Sequence, residues 1–350
     1  MDQIAVVAVA QTPTVRRSPW SEVQLLVPTV NEALAKAGIT RREIGFTCAG
    51  SCDYLTGGPF AFVSNLEAAG AWPPIRESHV EMDGAWALYE AWVRLQHGDI
   101  DTALVFGSGK SSPSNPAEIW PQQLDPYYLA TLGLDPVSYA GLQARQLLDS
   151  GKATERDFAE VVVRARANAM SNPNAQLKGE CNVEDLLAEP YHADPLRKHD
   201  LPPIGDGAVA VILARGDRAR ELCERPAWIR GLDHRIDVHY PGFRDLTTSK
   251  SATLAARKAG YDGGPLDVAE ISSIFSPQEI ILRESLGLPE GTNVNPSGGA
   301  LCANAIMAEG LIRIAEVAQR IFDGSANRGL AHATNGQGLQ HNLVAILEGE

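Results

Sequence analysis

Apolar residues along the chain occur in two patterns, short unbroken runs and longer segments with a helical period. Short runs such as IAVVAVA at 3–9 and GAVAVILA at 207–214 predict buried strands. The segment 21–37 has apolar positions at helical spacing and is followed by Gly38, which predicts an amphipathic helix with a glycine C-cap. Strands and helices alternate through most of the 350 residues, which favours a layered α/β fold.

One stretch, HVEMDGAWALYEAWVRLQHGDIDTALVFGSGK at 79–110, combines these patterns in a single unit. It predicts a strand, a turn at Asp83-Gly84, a helix of about four turns and a second strand that ends in a glycine-rich turn. The helix is apolar on nearly all sides, so we expect it to be buried. Its free N–H groups and positive dipole end suit a site for negative charge in front of it.

The order of elements recurs in the second part of the chain, where a glycine turn again precedes a long apolar helix. The predicted elements there are strands at 227–232, 268–275 and 293–296, helices at 248–259, 278–286 and 304–322, and closing strands at 329–333 and 343–347. We therefore predict a duplicated fold with halves at 1–224 and 225–350. A loop excursion over about 111–203 interrupts the first half.

Composition and charge narrow the class of protein. The formal net charge of −13 argues against nucleic-acid binding. No apolar run approaches the roughly 20 residues of a membrane span, and the opening MDQIAVVAVA does not resemble a signal peptide. Five cysteines form an odd, sparse set that suits the reduced cytoplasm. Cys48 and Cys52 have no second ligand pair nearby, so we expect no metal site.

Four segments resemble motifs of the thiolase superfamily, and the similarity extends over nearly the whole chain. NVNPSGGALCANAIMAEG resembles the NPSGG…GHPxGATG segment, and GLQHNLVAILE resembles the LQHN strand of the sterol carrier protein X type. The stretch 79–110 resembles the segment that carries the nucleophilic cysteine in a C-x-S-G turn, and GDGAVAVILA resembles the DGAAAxVL strand. The resemblance implies a five-layered αβαβα thiolase fold with mixed sheets. It also implies a tight dimer and a coenzyme A thioester site between the halves.

The sequence departs from the family at the reactive positions. Glu81 stands at the cysteine position, Asn304 at the histidine of GHP, and Ser272-Ser273-Ile274-Phe275 replaces the NEAF motif. Thiolases need a thiolate that takes the acyl group and a histidine that activates it, so we expect no ordinary thiolase activity. Actinobacterial steroid side-chain aldolases of the lipid-transfer protein group, which lack the cysteine, also resemble this chain. In that group the reaction is retro-aldol cleavage of a 3-hydroxyacyl-CoA, with a DUF35-type partner that carries a zinc ribbon and an OB-type barrel.

Retro-aldol cleavage needs a base for the β-hydroxyl proton and a donor for the thioester oxygen as an enolate forms. On the resemblance, Asn304 is the candidate donor at the start of a long helix, with a simple N-cap as the alternative. Tyr240 and His239 are candidate acid or base groups, because the family's aldolases use tyrosines; packing on a loop is the alternative. Glu81 and Asp83 are candidates too, although Asp83 is more simply an N-cap and Glu81 a structural partner.

Further candidates lie in the second half. His332 and His341 flank the family's last catalytic loop, which here lacks its cysteine and contains Gly336 and Gly338; a satisfied core imidazole is the alternative.

The resemblance also implies residues that bind coenzyme A. It places Ser297, Gly298 and Gly299 near the pantetheine, although the turn is equally consistent with a bend that the fold requires. Lys110 is a candidate for the phosphates, against the alternative of an ordinary surface base.

We conclude from the sequence that the chain is a thiolase-fold aldolase acting on the 3-hydroxyacyl-CoA side chain of a steroid. The alternative is a non-catalytic subunit that pairs with an active thiolase-like homologue or with a DUF35-type protein; a lipid carrier is a third reading. A homodimer or such a heteromer is expected, with coenzyme A thioester as substrate and no bound cofactor.

Overall fold

The ends of the first helix show how local sequence sets the elements of this chain. The computed structural model describes residues 3–57, 59–70 and 75–350. The helix predicted over 21–37 begins with a capping box, in which the Ser21 hydroxyl accepts from the Gln24 N–H and the Gln24 side chain accepts from the Ser21 N–H. It ends at Gly38, whose φ of 67° suits glycine.

The first half contains the expected alternation and then a long excursion. Its elements before the excursion are β1 (Ile4–Gln11), α1 (Glu22–Ala37), β2 (Phe46–Gly50), α2 (Asp53–Thr56), α3 (Ala61–Ala69), β3 (Glu77–Val80), α4 (Gly84–Gln96) and β4 (Thr102–Lys110). The excursion contributes α5 (Pro116–Ile119), α6 (Pro136–Asp149), α7 (Glu155–Asn168), α8 (Val183–Ala188), β5 (Tyr191–Ala193) and β6 (Leu196–Arg197). The half closes with β7 (Asp206–Arg215) and α9 (Gly216–Leu222).

The second half repeats this alternation without an excursion. Its elements are β8 (Ala227–Ile236), α10 (Lys250–Lys258), β9 (Val268–Ile271), α11 (Ser276–Leu286), β10 (Asn293–Val294), α12 (Glu309–Phe322), β11 (Arg328–Asn335) and β12 (His341–Glu348).

The strand order confirms the duplication. The main sheet runs β10-β9-β11-β12-β8-β1-β7-β4-β2-β3, and its two five-stranded halves meet where β1 pairs with β8. In each half the first strand is antiparallel to the last, the last is antiparallel to the fourth, and the fourth is parallel to the second. The second and third strands are also parallel. Since the sheet is continuous across β1 and β8, the division into domains at 1–224 and 225–350 stays a prediction.

The layers follow from alternating side chains on the strands. In β7, Val209, Val211 and Leu213 join a central core with α4 and α12, whereas Ala208 and Ile212 face a second core beside α1. A third core packs α10 and α11 on the outer face of the second half. The buried helices α4 and α12 therefore form the middle of five layers, which is the predicted αβαβα arrangement.

The structure corrects the predicted start of the long helix. The sequence indicated a helix from Asn304, but α12 begins at Glu309. Ala305 instead forms a parallel bridge with Gly205, and Met307 takes a positive φ of 76°, so the chain is not helical there. The excursion, predicted to be irregular over 171–203, contains the short α8 and a small β5–β6 hairpin. Within the described ranges, no helix has the length and apolar character needed to cross a membrane.

Candidate active site

A cavity of about 440 Å³ lies where loops of the two halves meet. Its walls come from the excursion, the segment before β7, the β9–α11 turn, the segment that leads into α12 and the β11–β12 connection. The lining residues include Asp83, Asn115, Trp120, Gln123, Leu124, Val137, Leu201, Ile204, Ile274, Phe275, Gln278, Asn304, Ile306, Met307, Glu309 and the segment 334–340. Its size is that of a small-molecule site.

The chemistry of this cavity is set by amides and two carboxyl groups. Among the residues that line it, the ionisable side chains are Asp83 and Glu309, and none is Cys, His, Lys, Arg or Tyr. Seven Asn or Gln side chains supply hydrogen-bonding groups, and the remaining wall is largely apolar. A wall without a thiol or an imidazole has no group for nucleophilic acyl transfer of the thiolase type.

Asn304 lies in this wall, as the family resemblance implied. It is buried, with 6% of its surface exposed, and its side chain makes no hydrogen bond within the part of the chain that the structure describes. It does not cap α12, because it lies five residues before the first residue of that helix. An amide without an internal partner is available to donate to a ligand.

Glu309 is the site residue that the sequence reading missed. It is the first residue of α12, it is 4% exposed, and it accepts a short hydrogen bond from the Ser272 hydroxyl. Burial raises the pKa of Glu309 to about 7; Arg313 and Ser272 oppose the shift, while the neighbouring carboxyls of Asp83 and Glu270 add to it. A signal was present, because counting along GHPxGATG from Asn304 places Glu309 at the threonine.

Asp83 is a helix cap, as predicted, and it caps two helices rather than one. Its carboxylate accepts from the Ala85 N–H of α4 at 2.8 Å, and from the Gly310 and Leu311 N–H groups of α12, both at 3.0 Å. Burial raises the pKa of Asp83, while these three N–H donors lower it. Asp83 therefore joins the equivalent helices of the two halves at the cavity floor.

Glu81, at the family's cysteine position, does not line the cavity. Its side chain turns away and accepts from the Asp53 N–H at 2.6 Å, so it sits at the N-terminus of the short α2. Glu81 is largely exposed, and partial burial of its carboxyl group raises its pKa. This contact fits the alternative of a structural partner, and a role for Glu81 in the chemistry stays a prediction.

Tyr240 and His239 also lie outside the cavity wall. The Tyr240 ring packs against His239, with centroids 4.2 Å apart, and against Tyr128 of the excursion at 6.5 Å. Their segment is nevertheless tied to the wall, because the Asp237 N–H donates to the Gln340 carbonyl at 2.8 Å. Tyr240 thus stays a candidate that the geometry brings near the site but not into it.

Neither of the two candidate histidines lies in the cavity wall. His332 is fully buried, with Nε2 2.9 Å from Asn342 Oδ1, and burial lowers its pKa to about 4. His341 Nε2 accepts from Trp86 Nε1 at 3.1 Å and lies 2.9 Å from His234 Nδ1. Burial lowers the pKa of His341 to about 4 as well. His332 does not line the cavity and its contact fits the core-imidazole alternative, so a catalytic role for it stays a prediction.

The expected coenzyme A residues have structural partners instead. The Ser297 hydroxyl lies 2.7 Å from both Glu270 and Arg313, inside a buried ionic network. A Cβ on Gly298 would lie 2.7 Å from Ala169 Cβ, so the turn at Gly298-Gly299 is a close approach that the fold requires.

Lys110 is likewise engaged within the protein. Its ammonium group donates to the Asp206 carboxylate at 3.1 Å and to the Ser18 carbonyl at 2.5 Å, with 17% of the side chain exposed. Because its charge is paired with a fully buried carboxylate, it is not a free cation for a phosphate. Neither this lysine nor the Ser297–Gly299 turn lines the cavity.

Comparison with known proteins finds relatives that span most of the chain. No family model matches the chain. An acetyl-CoA acetyltransferase of Methanothermobacter thermautotrophicus is 28% identical, over 98% of this chain and 96% of that protein. Sterol carrier protein 2 of Gallus gallus is 26% identical, over 89% of this chain and 64% of that protein. The 17-hydroxy-3-oxo-4-pregnene-20-carboxyl-CoA lyase of Mycobacterium tuberculosis is 27% identical, over 81% of this chain and 78% of that protein.

Solved structures agree on the architecture. An Ltp2-ChsH2(DUF35) aldolase superposes with a TM-score of 0.82 over 99% of this chain and 97% of that chain, at 20% identity. Human mitochondrial 3-ketoacyl-CoA thiolase gives a TM-score of 0.79 over 99% of this chain and 98% of that chain, at 15% identity. The chain therefore has the thiolase fold. Its resemblance to the thiolase superfamily, and within it to the sterol carrier protein and steroid side-chain lyase group, is confirmed.

Proposed function

We propose that the chain is a carbon–carbon lyase that cleaves a 3-hydroxyacyl-CoA thioester by a retro-aldol reaction. The observation that carries this proposal is the wall of the cavity, which has two carboxyl groups and the Asn304 amide without an internal partner, but no thiol or imidazole. Retro-aldol cleavage forms no covalent acyl-enzyme, so it needs only a proton acceptor and a donor to the developing enolate oxygen. These are the groups that this wall presents.

Asn304 is the donor in this proposal. Its amide lies in the wall with no internal partner, so its N–H groups are free to bind the thioester oxygen and to hold it as negative charge develops. A donor fixed in place before the reaction stabilises the transition state more than the ground state. The role therefore concerns catalysis rather than substrate affinity.

A steroid side chain is the proposed substrate class. One relative is named for a substrate with a 17-hydroxyl group and a coenzyme A-linked carboxyl on carbon 20, a hydroxyl that lies β to the thioester. The largely apolar wall, which includes Trp120, Ile274 and Phe275, suits a rigid hydrocarbon body. Acyltransferases are also among the relatives, but the thiolate that they require by the family pattern is replaced here by the outward-turned Glu81.

We further propose a partner of the DUF35 type, by analogy with the two-protein aldolase of the same fold. A homodimer, or a heteromer with a thiolase-like homologue, and a cytoplasmic location stay predictions from the sequence.

The test is an assay of the purified chain, with and without a DUF35-type protein, on a 3-hydroxyacyl-CoA steroid. We expect release of a ketone or aldehyde and a shortened acyl-CoA, detected by mass spectrometry. Asn304→Ala should lower kcat by about 10²- to 10³-fold with a smaller change in KM. Asn31→Ala, an exposed change on α1, is the matched control and should leave both constants unchanged.

Two results would contradict the proposal. Cleavage that is equal in Asn304→Ala and wild type would remove the donor role. Absence of cleavage by the wild-type chain in every combination would instead favour the non-catalytic subunit.

A further inference from the structure

We infer that Glu309 is the catalytic base of this site, accepting the β-hydroxyl proton of the substrate and returning it to the enolate carbon. This assignment rests on the proposed retro-aldol function and adds a residue that the family motif does not contain. It starts from position. Glu309 lies in the same cavity wall as Asn304 and five residues after it in the chain.

The hydrogen bonds of Glu309 leave part of its carboxyl group unsatisfied. Oε2 accepts from the Ser272 hydroxyl at the end of β9. Oε1 lies 3.0 Å from Arg313 Nε, but it has no hydrogen bond of acceptable geometry. A buried carboxyl oxygen without a donor is unusual in a purely structural group, and it leaves capacity to take a proton.

The second carboxyl in the wall does not have this capacity. The two carboxylate oxygens of Asp83 accept hydrogen bonds from three backbone N–H groups of α4 and α12, at 2.8 to 3.0 Å. Protonation of Asp83 would remove an acceptor from at least one buried N–H group. Of the two ionisable groups in the wall, Glu309 is therefore the one that can change its protonation state without disturbing the helices.

The surroundings of Glu309 bring its pKa close to neutral pH. Ser272 and Glu270 face it from β9, Asp83 from the turn before α4, and Arg313 from its own helix. Burial is the main effect and raises the pKa of Glu309 to about 7. A base whose pKa lies near the working pH is both available and strong enough to act.

The proposed reaction step balances in protons and electrons without a further reactant. The Glu309 carboxylate takes the β-hydroxyl proton, and the O–H electron pair becomes the π bond of the new carbonyl. The Cα–Cβ bond breaks, and its electrons form the enolate of the shortened acyl-CoA, whose oxygen receives the Asn304 hydrogen bond. Glu309 then gives its proton to the enolate carbon, which yields the acyl-CoA and restores the carboxylate.

The experiment uses Glu309→Gln, which keeps the shape of the side chain but cannot accept the proton. We expect kcat for cleavage to fall by about 10²- to 10⁴-fold with little change in KM. The wild-type rate should fall as pH drops below about 7, and the variant's residual rate should lose this dependence. A second readout is deuterium uptake from D₂O into the α-carbon of propionyl-CoA, the shortened acyl-CoA from a 20-carboxyl side chain, which tests the return step alone.

Glu316→Gln is the matched control, since Glu316 lies two turns further along α12 in contact with Arg320 and Gln11. It should keep cleavage, exchange and the pH profile of the wild type. Tyr240→Phe tests the competing base. Loss of the pH dependence in Tyr240→Phe, or its survival with full kcat in Glu309→Gln, would overturn the assignment.

The outcomes also separate this inference from the proposed function. Exchange that needs Glu309, in a wild-type chain that cleaves no 3-hydroxyacyl-CoA, would keep the base and overturn the lyase. Cleavage that survives in Glu309→Gln would do the reverse. A wild-type chain that neither cleaves nor exchanges would overturn both.

Discussion

The two halves of the molecule bring equivalent helices to the cavity, and each helix start has a buried carboxyl group. Asp83 precedes α4 and Glu309 opens α12. Both side chains are almost fully buried, and burial raises the pKa of both. They differ in what they contact, because Asp83 accepts three backbone N–H groups whereas Glu309 accepts one hydroxyl and pairs with the Arg313 guanidinium.

This difference separates a structural carboxyl from one that is available for chemistry. A carboxylate that satisfies several buried donors cannot lose its charge without leaving those donors unpaired. A carboxyl that has few donors and carboxyl neighbours holds its proton more tightly than an ordinary carboxyl, so it can bind and release a proton near neutral pH. In the family pattern the reactive group stands before α4. In this chain Asp83 connects that position to α12, and the proposed base Glu309 lies at the start of α12.

The largest effect expected from this comparison is on stability. Asp83→Ala removes the cap of two helices at once, and a cap contributes about 1–2 kcal/mol to each. We expect the free energy of unfolding to fall by about 3 kcal/mol, measured by chemical denaturation. Asp83→Asn keeps one oxygen acceptor, so its loss should be about half as large, which makes the test informative even where the alanine variant folds poorly.

A matching loss in the two variants would show that charge, rather than the number of acceptors, holds the helices together. A loss below about 1 kcal/mol in Asp83→Ala would break the comparison, because Asp83 would then be no more structural than an exposed cap.

The second expected effect is a gain in stability on replacing Glu309, in contrast to the loss expected on replacing Asp83. The pKa of Glu309 is raised in the folded chain, so the folded chain binds more protons than the unfolded chain between pH 4.5 and about 7. Stability is therefore lost as pH rises through that window, by up to about 3 kcal/mol. Glu309→Gln lacks this penalty. We expect it to match the wild type near pH 4.5 and to be more stable at pH 8, by denaturation at both values.

Glu316→Gln again serves as control, and it should not show this growing advantage. A Glu309→Gln variant that is less stable than the wild type at pH 8 would mean that the carboxylate is satisfied in the fold. Asp83 and Glu309 would then be two structural groups of the same kind.

Much of the fold follows from the sequence because burial patterns are local. Strand runs, the Gly38 C-cap of α1 and the Asp83 cap are all short sequence patterns, and the two halves show the same order of elements. The start of α12 was misplaced because its limit is set by a distant contact. Ala305 pairs with Gly205, about a hundred positions earlier in the chain.

The site was harder to predict because its residues are defined by partners far away in sequence. The sequence suggests that Lys110 and Ser297 are available to a ligand. In the structure Lys110 pairs with Asp206, and Ser297 hydrogen-bonds to Glu270 and Arg313. Asn304 was found through the motif. Glu309 was overlooked although the same motif contains its position, because only the fold shows that Ser272 and Asp83 surround it.

The smallest expected effect is that of replacing Glu81, the carboxyl group at the family's cysteine position before α4. Its carboxylate accepts one N–H at the start of a four-residue helix and is exposed, so Glu81→Gln should change the free energy of unfolding by less than about 0.5 kcal/mol. Cleavage should be unchanged as well, by the same mass-spectrometric assay, since the side chain does not line the cavity. A loss of activity as large as that of Glu309→Gln would mean that the family's cysteine position still serves the reaction, and that both helix ends, rather than α12 alone, carry its chemistry.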